Sequence, residues 1–299
     1  MRCATQVVIS ASRRTDIPAF YMSWFMDQIK KGFFEITNPY NRKVSIVQAS
    51  PKQVNTIIFW SKNFDHFLHN NDGEKLQAMG YNLFFNFTIN SHDRLLEPNV
   101  PSMTRKLAQL TELAKRFGAQ IINWRFDPIC FYKRQDGKRL NNLGDFLLIA
   151  RQAAACGIKR CITSFMDNYH KIQKRVAPLR GFSFIDPPLE KKITTLLKME
   201  DHLTQLEINL FTCCEKTLIA HLPDESTILP SSCIPNDFLM ELYGGRLSLR
   251  KDTGQRIKSG CTCRTSIDIG VYHLHPCFHN CLFCYANPAA PESGQFKTE

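Results

Sequence analysis

Three cysteines within the last two dozen residues, Cys277, Cys281 and Cys284, form a C-x3-C-x2-C array, and an aromatic, Phe283, immediately precedes the last of them. Thiolates so spaced on one loop can converge on a metal centre. Their number is informative. A [4Fe-4S] cube needs a ligand for each of four irons, usually four cysteines. Three cysteines leave one iron open to a substrate or cofactor, unless a fourth ligand comes from elsewhere in the chain. His273, His275 and His279 stand beside these cysteines and allow a rival, a Cys3His structural zinc site. Zinc modules usually bring two ligand pairs with a spacer between them, which this loop does not.

The array resembles the cluster loop of the radical S-adenosylmethionine (SAM) enzymes. In that superfamily the open iron chelates the amino and carboxylate groups of SAM. The aromatic before the third cysteine, here Phe283, lies near the adenine. The superfamily normally carries this loop after the first strand of its barrel. The C-terminal placement resembles an uncharacterised family of bacterial and archaeal proteins. Ser-Arg-Arg-Thr-Asp at 12–16, Arg-Phe-Asp-Pro-Ile at 125–129, Asp-Ile-Gly at 268–270 and Cys-Tyr-Ala-Asn at 284–287 match that family's pattern too. The resemblance covers most of the chain. It implies a [4Fe-4S] cluster, SAM as second cofactor and an electron donor such as flavodoxin or ferredoxin. It also implies reductive cleavage of SAM to a 5′-deoxyadenosyl radical that abstracts hydrogen from a substrate. Whether that substrate is a small molecule, a peptide or nucleic acid is not written in these motifs.

The same family shows further cysteines in an order matched here by Cys213, Cys233, Cys261 and Cys263. Four thiolates from separate segments can complete a closed site, either an auxiliary iron–sulfur cluster or a tetrahedral zinc. Cys214 is the spare thiol, or the ligand in place of its neighbour Cys213. The superfamily often holds the SAM amino group with Gly-Gly-Glu after the second strand; Ser61-Lys62-Asn63 stands there in this chain. Asn63 or Asn90 is then a candidate for the amino group, and Arg125 for the carboxylate in bidentate fashion. The plainer reading of Arg125 and Asp127 is an ion pair at a strand end. Arg13 and Arg14 are adjacent on a strand or turn, so at most one faces a site. Asp16 suits a helix cap. Tyr169 and Cys214 are conceivable hydrogen donors to a product radical.

These residues need a scaffold, and the apolar pattern supplies one. β-branched and aromatic runs predict strands at Val7–Ser12, Thr56–Trp60, Leu83–Ile89, Gln120–Phe126, Arg160–Ser164 and Leu206–Phe211. Helical periodicity predicts helices over 18–31, 103–117, 143–155 and about 188–205, with a hairpin over 33–48 around Asn38-Pro39-Tyr40-Asn41. Strands alternating with helices mean a parallel sheet with right-handed crossovers. Each strand ends in charged or ligand residues, as at the active face of a β/α barrel. Six such units suit either an open doubly wound sheet or a partial barrel, which periodicity alone does not separate; the strand ends favour the barrel, and the resemblance implies a partial (β/α)6 TIM-like barrel of radical SAM type over 1–212. A cysteine-rich iron–sulfur segment over 213–299, with a short helix at Asp237–Tyr243, would close its mouth.

Composition sets the outer bounds. The 299 residues carry 43% hydrophobic residues, enough for a substantial core, and no run of 18 apolar residues that would span a membrane. The N-terminal apolar stretch is a first strand rather than a signal peptide, so a cytoplasmic location is expected. Twelve cysteines in such a chain point to metal or redox work rather than disulfides. Cys3, Cys130, Cys156 and Cys161 read as ordinary buried thiols. The formal charge of +11 is concentrated in residues 101–200, which hold 19 Lys and Arg against 8 Asp and Glu. A solvated basic face is the plainer reading of that excess, and a zinc-stabilised nucleic-acid-binding protein or an iron–sulfur electron carrier are the alternatives to the enzyme.

Overall fold

The structure, a computed structural model, describes residues 5–37 and 43–285. Cys3, the expected turn at 38–41 and the segment 286–299 lie outside the described residues. Eight strands form one all-parallel sheet: β1 (Val7–Ala11), β2 (Val54–Ser61), β3 (Asn82–Thr88), β4 (Ile122–Ile129), β5 (Arg160–Phe165), β6 (Asn209–Thr212), β7 (Leu229–Pro230) and β8 (Ile267–Asp268). Their order is β7-β6-β5-β4-β3-β2-β1-β8. The first seven therefore stand in chain order. A sequential parallel order with right-handed crossovers puts every crossover helix on the same face. That separates this sheet from a doubly wound one, where the order reverses and helices cover both faces. Among the described residues no ladder joins the edge strands β7 and β8, so the sheet is not closed by hydrogen bonds.

The helical face is built by the outward side chains of the strands. Phe25 of the helix Met22–Lys31 packs on Phe59, Phe117 of Met103–Phe117 on Phe85, and Phe146 of Phe146–Ala155 on Trp124. The helix Leu189–Thr204 buries Leu196, Met199 and Leu203 in the same core. Ser102 caps Met103–Phe117 through the Arg105 N–H, and the helix ends at Gly118, whose φ of +92° few side chains tolerate. The expected helix 18–31 is divided at Tyr21 into Ile17–Phe20 and Met22–Lys31. Asp16 caps the first piece, and the Tyr21 hydroxyl donates to the Pro276 carbonyl at 2.5 Å, just ahead of Cys277.

The opposite face of the sheet is covered by residues 231–264. The helix Asn236–Tyr243 sets Phe238 against Phe84, and the Tyr243 hydroxyl donates to the Leu83 carbonyl at 2.6 Å. Residues beyond 212 thus supply both edge strands and part of the main core, which includes Cys233, Ile234, Leu239, Cys261, Cys263 and Ile269. A smaller antiparallel sheet, Ser183–Ile185, Phe131–Lys133 and Arg139–Asn141 in that order, was not visible in the apolar pattern because its strands are three residues long. No helix among the described residues is long and apolar enough to cross a membrane.

Candidate functional site

The carboxyl ends of β1 to β6 meet at one cavity of about 250 Å³. Its wall takes Ser12–Asp16 after β1, Trp60–Lys62 at β2, Thr88 at β3, Arg125 and Asp127 at β4, Ser164–Asp167 at β5 and Cys213–Cys214 after β6. Period-2 alternation explains the choice within each strand: Arg125 and Asp127 face the cavity while Trp124 and Phe126 face the helices. Cys277, His279, Cys281, Phe283 and Cys284 complete the wall from one side, and Cys233, Cys261 and Cys263 from the other. Both expected cysteine sets therefore open on the same space.

The loop bearing Cys277, Cys281 and Cys284 is fixed by buried polar contacts. His279 Nε2 lies 2.9 Å from Asp16 Oδ2, and its Nδ1 lies 3.2 Å from the Asn99 carbonyl. Both ring nitrogens are engaged, which removes His279 from the Cys3His set. His275 Nδ1 accepts from the Val271 N–H at 3.2 Å, and its ring packs between Tyr21 and Trp24. Asp16 caps its helix and also accepts from Ser61 Oγ at 2.7 Å and the Lys62 N–H at 2.8 Å. Arg175 Nη1 donates to the carbonyls of Cys281 and Cys284, both at 2.7 Å. Burial pushes the Cys277 thiol up to about 12 and the Cys281 thiol well up from its ordinary value.

Lys62 stands over the Phe283 ring, 5.4 Å from its centre, and pairs with Glu97 at 2.5 Å. Burial opposes the ammonium, but Glu97 and Cys281 more than offset it, so Lys62 is held above its ordinary value. Burial likewise opposes the Glu97 carboxylate, and Lys62 and Lys106 bring it below its usual range. Asn90 and Asn63, expected near SAM, are absent from the cavity wall. Asn90 is committed to the backbone N–H and carbonyl of Asp127 and to Glu97, and Asn63 accepts from the Asp65 N–H and from Gln109. Asn90 uses both its oxygen and its amide in this way, and Asn63 its oxygen, to position their neighbours.

The second cysteine set forms a chain of thiol contacts. Cys213 Sγ lies 3.7 Å from Cys214 Sγ. Cys213 also interacts electrostatically with Cys233, Cys233 with Cys263, Cys263 with Cys261, and Cys261 with Cys214. Three guanidiniums frame these thiols. Arg125 donates to Cys233 Sγ at 2.6 Å and to Asp127 at 2.5 Å. Burial opposes its charge, and Cys233, Asp127 and Cys213 hold the guanidinium well above its ordinary range. Arg256 faces Cys214 and pairs with Asp167. Arg13 pairs with Asp252 at 3.0 Å and lies near Cys263. Donation from Cys213 and Cys261 pulls the Cys214 thiol down and raises Cys213 in return. Cys214 also sits at φ +63°, a strained conformation for a side-chain-bearing residue.

Motifs that looked unconnected in sequence meet here. Asp268 accepts from Ser10 at 3.1 Å, Ser12 at 2.6 Å and the Arg13 N–H at 2.7 Å, so Asp-Ile-Gly clamps the Ser-Arg-Arg turn. A Cβ on Gly270 would come within 2.1 Å of Ser12 Oγ. On the face opposite the helices, Arg160 donates to Asn123, Asn123 to Asn86, and Asn86 to the Cys233 carbonyl at 3.1 Å. Glu97, Arg175 and Arg256 escaped the sequence reading because no spacing links them to the cysteines.

Among the described residues, no group of three or more His, Cys, Asp or Glu is placed to hold a single metal ion. Six buried side-chain atoms lack a hydrogen-bond partner among them: Arg13 Nη1, Thr15 Oγ1, Thr212 Oγ1, Ser231 Oγ, Asn236 Oδ1 and Asn280 Oδ1. Two line the cavity and the other four lie within three residues of Cys213, Cys233 or Cys281. An orphaned buried polar atom costs about 1–3 kcal/mol. Comparison with curated proteins gives no match. A family model does match, over residues 8–286, nearly the whole chain including both cysteine sets. The chain belongs to the family described as the domain of unknown function DUF1848.

Proposed function

We propose that this chain is a radical SAM enzyme. Cys277, Cys281 and Cys284 would hold a [4Fe-4S] cluster with one iron open to SAM, and four thiols of the Cys213, Cys214, Cys233, Cys261 and Cys263 set would hold an auxiliary iron–sulfur cluster. The observation that carries the reading is the convergence of both thiol sets on one cavity at the carboxyl ends of six successive parallel strands. A sequential parallel sheet with its helices on one face is compatible with the partial barrel that this reading expects. The donor chemistry fits as well. Thiols raised by burial, such as Cys277 and Cys281, stay protonated until a metal displaces the proton, and guanidiniums beside Cys213, Cys214, Cys233 and Cys263 suit an anionic thiolate-bound centre.

When bound, the cluster and SAM supply one-electron cleavage of a SAM C–S bond and, from it, hydrogen abstraction from a substrate. The chain's own residues bind, orient and exclude water. Phe283 gives an apolar wall for the adenine, and Lys62, fixed by Glu97, closes that wall with a charge. Arg13 and Thr15 belong to the cavity wall, and the Arg13 guanidinium is a candidate partner for the carboxylate of SAM. Met166 and Ile172 keep water from the rim. No side chain has to act as acid or base.

The test is anaerobic purification, reconstitution with iron and sulfide, reduction, and EPR with and without SAM. The reading expects a [4Fe-4S]+ signal that SAM shifts, with 5′-deoxyadenosine then detected by mass spectrometry. Colourless protein with stoichiometric zinc would overturn it, and so would a cluster indifferent to SAM, which would leave an electron carrier.

A further inference from the structure

The excess positive charge of the middle third is not spread evenly over the helices. Eight of its 19 lysines and arginines fall in two short stretches, 131–142 and 170–183, against one acidic residue, Asp136. The fold brings these stretches together. Phe131–Lys133 pairs with both Arg139–Asn141 and Ser183–Ile185, and the helix His170–Val176 packs against this small sheet through Ile172 and Val176. Tyr132, Ile172, Val176 and Phe184 share a core with Cys281, Leu282 and Phe283. Their apolar sides being used inside, Lys133, Arg134, Lys138, Arg139, Lys171, Lys174 and Arg180 are left exposed around this platform of sheet and helix, Lys133 and Arg139 on the sheet face that points away from the core. Among the described residues only Asp136 gives one of these seven a carboxylate, Lys138 at 3.7 Å.

The platform runs into the cavity rim. Helix His170–Val176 presents Ile172 to the cavity wall while Lys171 and Lys174 face solvent. Tyr169, at its start, and Tyr285 line the rim with ring centres 5.9 Å apart, and they are 37% and 51% exposed. Clustered Lys and Arg side chains neutralise successive phosphates, and exposed aromatic faces stack on unstacked bases. An acidic protein would also be attracted by the charge. A protein docked on the platform, however, would be separated from the cysteine loop by the core just described, whereas a strand lying across Lys171 and Lys174 passes the open rim.

We propose that this platform binds the phosphodiester backbone of a single-stranded nucleic acid and presents one nucleotide to the cysteine-lined cavity. As a statement about substrate class it rests on the enzymatic reading above, but the binding itself does not. The test uses the full reconstituted chain and fluorescence anisotropy with labelled 20-nucleotide single-stranded DNA and RNA, at several salt concentrations. Two quadruple variants are compared. One removes platform charge (Arg134→Ala, Lys138→Ala, Lys171→Ala, Lys174→Ala). The other removes equal charge from exposed positions elsewhere (Lys31→Ala, Lys52→Ala, Lys115→Ala, Lys198→Ala).

The platform variant should lose roughly thirtyfold or more in affinity at low salt, and its log–log salt slope should be shallower by about 2–3, at ~0.7 per phosphate contact. The control should change less than about threefold. Equal losses in both variants would reduce the effect to net charge and overturn the proposal. Weak, salt-insensitive binding would overturn it too, as would capture of an acidic flavodoxin with the same variant pattern and no nucleic-acid binding. SAM cleavage is measured in parallel. Cleavage without nucleic-acid binding sinks the platform alone, and platform-dependent binding by an iron-free protein sinks the enzymatic reading alone.

Discussion

Asp16→Ala should loosen the Cys277–Cys284 loop from a distance, through hydrogen bonds. The Asp16 carboxylate accepts from the Ala19 N–H at 3.0 Å, Ser61 Oγ at 2.7 Å, the Lys62 N–H at 2.8 Å and His279 Nε2 at 2.9 Å. Loss of the helix cap costs about 1 kcal/mol. Ser61 keeps a second acceptor, the Asn63 carbonyl at 2.8 Å, so its share is small. The Lys62 N–H and His279 Nε2, on a ring that is almost wholly buried, are left without an acceptor, at about 1–3 kcal/mol each. The expected total is about 3–7 kcal/mol, a large part of the 5–15 kcal/mol typical of a folded domain. Asp16→Asn should fall between, at about 1–3 kcal/mol, because the amide still accepts from Ala19 and Ser61 but turns N–H groups toward Lys62 and His279. Urea unfolding under anaerobic conditions measures the loss. Maleimide labelling of the metal-free protein reads the site: Cys281 should react at least about tenfold faster, while Cys161 in the main core stays protected. A loss below about 1 kcal/mol, or unchanged labelling of Cys281, would refute the tether.

Other expectations follow from single contacts. Arg175→Leu strips the charged donor from the Cys281 and Cys284 carbonyls; it should cost about 1.5–3 kcal/mol and weaken SAM binding in calorimetry while iron content of the second set is kept. Arg125→Lys offers one ammonium where the guanidinium donates to both Cys233 and Asp127. Its iron content should drop at the second centre, with the SAM-shifted EPR signal retained. Burial raises the Tyr243 hydroxyl to about 12 from its ordinary 10. The unfolded chain then loses that proton first, so stability should fall as pH rises from 10 towards 12, and Tyr243→Phe should flatten that limb in alkaline unfolding curves. Iron chelation should make residues 231–264 protease-sensitive before β1 to β6, as followed by mass spectrometry of early fragments.

Much of the scaffold was legible because its signals are local. Six of the parallel strands and the helix Met103–Phe117 follow from runs and periods that neighbouring residues declare. The charged residues ending those strands were equally visible, and they do line one cavity. Tertiary context altered the boundaries. The helix expected at 18–31 breaks where Tyr21 reaches Pro276, a residue 255 positions away. The strands β7 and β8 are two residues long and exist only because a longer neighbour offers a ladder.

The residue types and spacings by themselves determined that Cys277, Cys281, Cys284 and Phe283 lie within eight consecutive residues, close enough for the three thiols to serve one centre. They also determined a parallel α/β sheet, since alternating apolar runs and amphipathic stretches leave few other architectures. Only the tertiary structure decided that Cys213, Cys233, Cys261 and Cys263 open on that same cavity, that Asp268 clamps the Arg13 turn, and that Asn63 and Asn90 serve the scaffold rather than the cavity. The physical reason is range. Propensity and periodicity act over a few residues, whereas a buried hydrogen bond such as that between Asp16 and His279, 263 positions apart, is chosen by packing of the whole chain and leaves no mark in local sequence.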